Sequence, residues 1–277
     1  MRYLNLNLFE WLIFIIALLL ILFYFYILAS APKIEAYVKK NEKYLNWLNY
    51  EDILNEVENG DLILLAGDTH GEKLCRWFPG SIFSHMGLLI REKQKETGED
   101  RVYIWDCDLG QGYKEGVRMS LLDNKIRRYK GFRIGALKKL KVSPGQQRPN
   151  SQDIVELYQK YKDLDFDHVI ATWFLADYPK LYKLAKNPEK VFCGEMVAEA
   201  LQELGIMKKD RVPAWYVPGD FYRPADRLHL EDGYEYGTTY FFRFPDIQTE
   251  DGDIKTEHRL VNDIPFPEES ELPLPDP

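Results

Sequence analysis

A run of twenty residues near the amino terminus, "WLIFIIALLLILFYFYILAS" (11–30), carries no charged side chain. As a helix it measures about 30 Å, the thickness of a bilayer's hydrocarbon core. A secretory signal has a shorter apolar region behind a basic start. Here only Arg2 precedes the run, Glu10 abuts it, and "ASAP" puts Pro32 directly after the small-x-small cleavage candidate. The sequence therefore predicts a retained transmembrane helix over 11–31, behind a short tail of residues 1–10, with the lipid bilayer as partner. Basic residues near the ends set orientation. Lys33, Lys39, Lys40 and Lys43 follow the run, which predicts a single-pass membrane protein whose main domain is cytosolic.

Beyond the anchor, residues 32–55 read as a helical stem, with Val38, Tyr44, Leu45, Leu48 and Leu54 as apolar positions. "NGDLILLAG" (59–67), "SHMGLLIRE" (84–92) and "GEDRVYIWDCD" (98–108) read as strands, the last two joined in a hairpin through "KQKETGED". "KGFRIGALKKL" suits another strand, Ser151 is placed to cap a helix, and a second helical stretch runs through "HVIATWFLADYPKLYKLA" with a break near Pro179. "YGTTYFFRF" (236–244) is a late aromatic strand, and residues 246–277 have the proline and acid content of disorder. Together these describe an α+β domain over 56–245. A net charge of −8 without a basic stripe excludes a nucleic-acid partner. Three scattered cysteines and no CxxC or HExxH spacing exclude a disulfide framework and a zinc site.

One of those cysteines sits where two apolar residues hand over to a helix, in "VFCGEMVAEALQELGI" (191–206). Cys193, Met196, Val197, Ala200, Leu201 and Leu204 form the stripe of an amphipathic helix, with Glu195, Glu199, Gln202 and Glu203 on the other face and Gly205 as its stop. Cys193 thus lies in the first turn, where unpaired N–H groups and the helix dipole favour a thiolate. It reads either as a small buried residue opening a core helix or as a nucleophile. The second reading needs a base and a group to orient it. His85, in "FSHMGLLI", begins a strand and shares a face with Gly87 and Leu89. On the next strand Val102, Ile104, Asp106 and Asp108 share one face, so either aspartate can hold the imidazole.

"NGDLILLAG", "FSHMGLLI", an acid after "VYIW" and "VFCGEMVAEALQELGI" occur in an order that resembles the permuted papain-like hydrolases of the NlpC superfamily, in particular the YiiX/YaeF-like group. More distantly it is similar to lecithin:retinol acyltransferase-like enzymes. "KYKDLDFDHVIATWF" and "YVPGDFYRPADRL" extend the resemblance, which covers about residues 56–230. It implies an antiparallel sheet packed on helices, with Cys193 as nucleophile, His85 as base and Asp106 as orienting acid. It also implies a cysteine-dependent hydrolase or acyltransferase that needs no cofactor and no metal. The family usually has serine after the cysteine, where this chain has Gly194, and often glutamate where it has Asp106.

With the anchor, the resemblance implies a lipid acyl group as substrate, a peptide or isopeptide amide being the alternative. The aromatic segments "TWFLADY" and "YFFRF" are candidates to line an apolar groove. Two rivals stand beside this reading. "VYIWDCDLG" superficially fits the DxDx strand of a haloacid dehalogenase-type phosphatase, though no alternating strand-helix series surrounds it. A catalytically silent membrane scaffold keeps the fold without the chemistry.

Overall fold

Leu62–Gly67 is buried at every position, which a strand achieves when both faces of its sheet are covered. In the computed structural model, which describes residues 8–245 apart from 78–79, 94–98, 110–114, 130, 169–177 and 224–226, it is the central strand of seven. The strands are β1 (Asn46–Trp47), β2 (Leu62–Gly67), β3 (His85–Lys93), β4 (Asp100–Asp108), β5 (Gly116–Leu121), β6 (Gly131–Val142), β7 (Asp165–Phe166), β8 (Lys190–Val191) and β9 (Tyr234–Arg243). The main sheet has the order β1-β9-β6-β2-β3-β4-β5, and β7 and β8 pair separately. The helices are α1 (Leu8–Ser30), α2 (Ile34–Asn41), α3 (Tyr50–Glu56), α4 (His70–Trp77) and α5 (Leu122–Arg128). After them come α6 (Ser151–Tyr161), α7 (Pro179–Ala185), α8 (Cys193–Glu203) and α9 (Pro218–Tyr222).

The expected antiparallel sheet is mixed at one edge, because β1 runs parallel to β9 while the other neighbours are antiparallel. That pairing joins Trp47 to Phe241, near opposite ends of the fold, so no local turn signal announces it. The stretch read as a stem is helical at α2 and α3 and hydrogen-bonded to the sheet between them.

Strand alternation sends side chains to two cores. On one face Leu64, Met86, Leu88 and Trp105 meet Met196, Val197, Ala200 and Leu201 of α8, with Ile34 of α2 and Ile154 of α6 beside them. On the other, Ile63, Leu65, Leu89, Ile104 and Leu137 meet Tyr50 and Ile53 of α3 and Leu122 and Ile126 of α5. Phe241 enters the first core and Phe242 the second, so "YFFRF" serves packing rather than a groove. Most of "TWFLADY" lies outside the described residues, as does the predicted tail over 246–277. The cap of α6 is Asn150, one residue before the expected Ser151. Its side chain accepts from the Asp153 N–H at 2.8 Å.

Helix α1 is long and apolar enough to cross a membrane, and its apolar side chains are exposed along most of its length. Its carboxyl-terminal part rests on α4. The rings of Phe23 and Trp77 meet edge to face at 5.8 Å, and Tyr24 Oη lies 2.9 Å from His70 Nδ1.

Truncating Leu201, fully buried between α8 and the sheet, should cost about 2–5 kcal/mol as Leu201→Ala, while Glu203→Ala on the exposed face should stay within about 0.5 kcal/mol. Denaturant unfolding in detergent measures both.

Candidate active site

The buried stripe of α8 fixes that helix against one face of the sheet, and this places its first residue beside the start of β3. The Cys193 thiol lies 3.9 Å from the carbonyl oxygen of Ser84, the residue before His85. Cys193 and His85 are both buried and both line a cavity of about 110 Å³. Its other walls include Glu72 and Cys75 of α4, Phe166, Phe192 and Pro218.

Gly87 stands opposite Asp106 in the register of β3 and β4, which makes His85 and Asp106 diagonal neighbours on one face. His85 Nε2 lies 2.7 Å from Asp106 Oδ2, leaving Nδ1 as the nitrogen available to the thiol. A side chain at position 87 would meet Ile104 Cγ1 at 2.6 Å, so the residue between the two polar positions is glycine. Tyr129 stacks on the imidazole with ring centroids 6.1 Å apart and donates to Glu72 Oε1 at 3.2 Å.

Asp108 has a carboxylate oxygen within 4.8 Å of an imidazole nitrogen, while the 2.7 Å bond is made by Asp106. Asp108 is held by Lys125 of α5, whose ammonium also lies 2.5 Å from Asp106 Oδ2. The three predicted site residues are thus brought together, and of the two candidate acids Asp106 is the one on the histidine. Lys125 was not among them. Its signal was available: in "LDNKIRR" the lysine sits three residues after Leu122 and one before Ile126, at the edge of that helix's apolar stripe. It is 3% exposed.

The charges follow from this geometry. Burial works against ionised Asp106, but Lys125 and the His85 hydrogen bond outweigh it and hold the carboxyl below its usual range. Asp108 is likewise held low, chiefly by Lys125 against burial. Burial and Lys125 pull His85 down, yet the Asp106 bond and Cys193 prevail and raise it to about 10. The imidazole therefore carries a proton at neutral pH. Burial pushes the Cys75 and Cys107 thiols up, which leaves them poor nucleophiles.

Two side chains expected on the outer face of the cysteine helix are buried instead, Glu195 and Gln202. Glu195 Oε1 accepts from Tyr182 Oη of α7 and from Nζ of Lys186, the residue after that helix, at 2.8 Å. Gln202 donates to the carbonyls of Lys208 and Arg211. Helical periodicity marks which face is polar but not which polar face a later segment covers. Gly194 also has a packing reason, since a Cβ there would lie 2.5 Å from the carbonyl oxygen of Tyr216.

Ligand atoms of His85, Asp106 and Asp108 lie within 4.8 Å of one another, a donor set of the kind divalent cations use. Lys125 already sits on an oxygen of each carboxylate, so a metal there would have to expel a buried ammonium against like charge. The residues do not fit a resident metal. The phosphatase reading fails on topology, because β4 is antiparallel to both its neighbours, whereas the strand-helix alternation of that fold gives parallel strands.

No family model matches the chain. It is 28% identical to an uncharacterized protein of Acanthamoeba polyphaga mimivirus, over 56% of this chain and 70% of that one. Among solved structures it is similar to the metalloprotein yiiX from Escherichia coli, with a TM-score of 0.36 and 18% identity, over 53% of this chain. The match spans 65% of the yiiX chain, less than two thirds of its length.

Two predictions follow from the charge cluster. Lys125→Met should destabilise the protein by about 3–5 kcal/mol, since it strands two buried carboxylates, and adding Asp108→Asn should recover part of that loss. Thermal melts of the single and double variants in detergent check this. The second concerns pH. His85 is raised on folding, so its contribution is fully present below its unfolded value of about 6.5 and is lost as pH rises through about 10. Asp106 and Asp108 are lowered, so theirs is present above about pH 3.9 and lost as pH falls. The melting temperature of the wild type should therefore decline from about pH 6.5 towards 10, and His85→Gln should remove that component of the slope.

Proposed function

We propose that this chain is a membrane-anchored cysteine hydrolase or acyltransferase that breaks an ester or amide bond of a lipid acyl group through an acyl-Cys193 intermediate. The observation that carries this reading is the meeting of Cys193 and His85 in one cavity while Asp106 holds the imidazole's other nitrogen.

At rest the proton given up by the thiol already sits on His85, as an imidazolium paired with the Cys193 sulfur and supported by Asp106. Sγ attacks the acyl carbonyl carbon, and the oxyanion is received by the backbone N–H groups of Cys193 and Gly194 in the first turn of α8. His85 then gives its proton to the leaving oxygen or nitrogen as the tetrahedral adduct collapses to a thioester. Water, or the hydroxyl or amine of an acceptor, repeats the cycle in reverse and frees Cys193. Phe166, Phe192 and Pro218 give the cavity an apolar wall suited to the first carbons of an acyl chain.

The membrane favours a lipid over a peptide. Helix α1 confines the cavity to one bilayer surface, and the lysines that follow it, Lys33, Lys39, Lys40 and Lys43, favour the cytosolic side.

Incubating the full chain with vesicles of mixed phospholipids and N-acyl amides tests the reading, with free fatty acid and the mass of the Cys193 peptide followed by mass spectrometry. Fatty acid and acyl-Cys193 should appear together. Cys193→Ala should abolish both, and Asp106→Asn should slow turnover of the folded protein by about a hundredfold or more while also lowering its melting temperature, since it removes one charge from a buried network. Cys193-dependent cleavage of peptide amides without lipid turnover would make the chain an amidase. Turnover that survives Cys193→Ala, or none on either substrate, would end the thiol mechanism.

A further inference from the structure

We propose that α7 docks on the anionic surface of the bilayer that α1 enters, an inference that rests on reading α1 as a membrane span. Among the described residues outside α1, the large apolar side chains left exposed are Tyr44, Tyr178, Leu181 and Leu184, and the last three belong to α7 or to the residue before it. Leu184 is 85% exposed. A clustered exposed apolar face on a monomer marks a contact surface.

The arrangement around α7 says what that surface meets. Tyr182 is buried and sets the inward direction. At 100° per residue, Lys180 and Leu184 fall within about 20° of the opposite face, and Leu181 and Lys183 flank them. Two leucines and two exposed lysines thus point outward together. The chain as a whole has a net charge of −8, yet Tyr178–Lys190 carries four lysines against one acid, Glu189. Leucines beside lysines suit the boundary between acyl chains and anionic headgroups. They suit a second copy poorly, because an isologous contact through this face would bring the lysines of both copies together.

A chain of contacts links α7 to the end of α1. Phe23, which packs on Trp77 of α4, lies seven residues before the end of α1, or about 10 Å along the helix. That holds α4 at the edge of the apolar layer. Helix α4 supplies Glu72 and Cys75 to one wall of the cavity, and Phe192 of another wall packs against Tyr182 of α7.

The test uses the full chain with Cys193→Ala and a nitroxide on Leu184→Cys, reconstituted in phosphatidylcholine vesicles with or without phosphatidylserine. Vesicle flotation reports α1, and the nitroxide's relative collision with oxygen and with a nickel chelate reports the depth of α7. The label should be shielded from nickel but open to oxygen when phosphatidylserine is present. Lys180→Gln with Lys183→Gln should lower the docked-to-undocked ratio by about thirtyfold, each lysine near an anionic surface being worth about fivefold. A chain that floats with its label open to nickel in both vesicles overturns this inference alone, as does a label shielded from both reagents by protein contact. A chain that does not float overturns the anchor and this inference together. The thiol chemistry is read separately, by acyl-Cys193.

Discussion

One buried oxygen carries the site. Asp106 Oδ2 is shared by the imidazole of His85 at 2.7 Å and the ammonium of Lys125 at 2.5 Å, and all three side chains are buried. A carboxylate in that position without a cation would take up a proton and lose its hold on the ring. Lys125 keeps it charged, and so fixes which ring nitrogen faces Asp106 and which faces the cavity. The same ammonium lies on Asp108, so one lysine serves two acids. A buried network of this kind is costly when incomplete, which makes the position of α5 a condition of the chemistry proposed for α8.

The two faces of the sheet divide the work. His85 and Asp106 project from the face that packs on α3 and α5, whereas Cys193 arrives on the helix that packs on the other. They meet because His85 is the first residue of β3 and Cys193 the first of α8, so both lie at an edge where the sheet no longer separates the layers. Gly87 has no room for a side chain against Ile104, nor Gly194 against the Tyr216 carbonyl.

Much of this was legible in the chain. Helical spacing after Cys193 located the helix of the candidate nucleophile, and strand alternation gave the face of its own strand on which each of His85 and Asp106 lies. Alternation cannot separate Asp106 from Asp108, because both satisfy the same period. The choice needs the register that sets Gly87 against Asp106. Lys125 is invisible for a related reason. It pairs with residues 17 and 19 positions earlier, across a strand and a segment without regular spacing, and a lysine at the border of an apolar stripe is usually read as solvated. Glu195 was read as solvated on the same grounds, and only the return of α7 over the start of α8 buries it.

That burial also decides how α7 can move. If α7 lifts away, Glu195 exchanges its bonds to Tyr182 and Lys186 for water, and Tyr182 leaves the apolar cluster it shares with Phe192 and Ala214. Burial already raises its proton affinity against the pull of Lys186 and Tyr182. So α7 is not a free lid over the cavity. It is fixed through Glu195 to the turn that bears Cys193, and a bilayer contact made by Leu181 and Leu184 would set the orientation of α8 as well as its own.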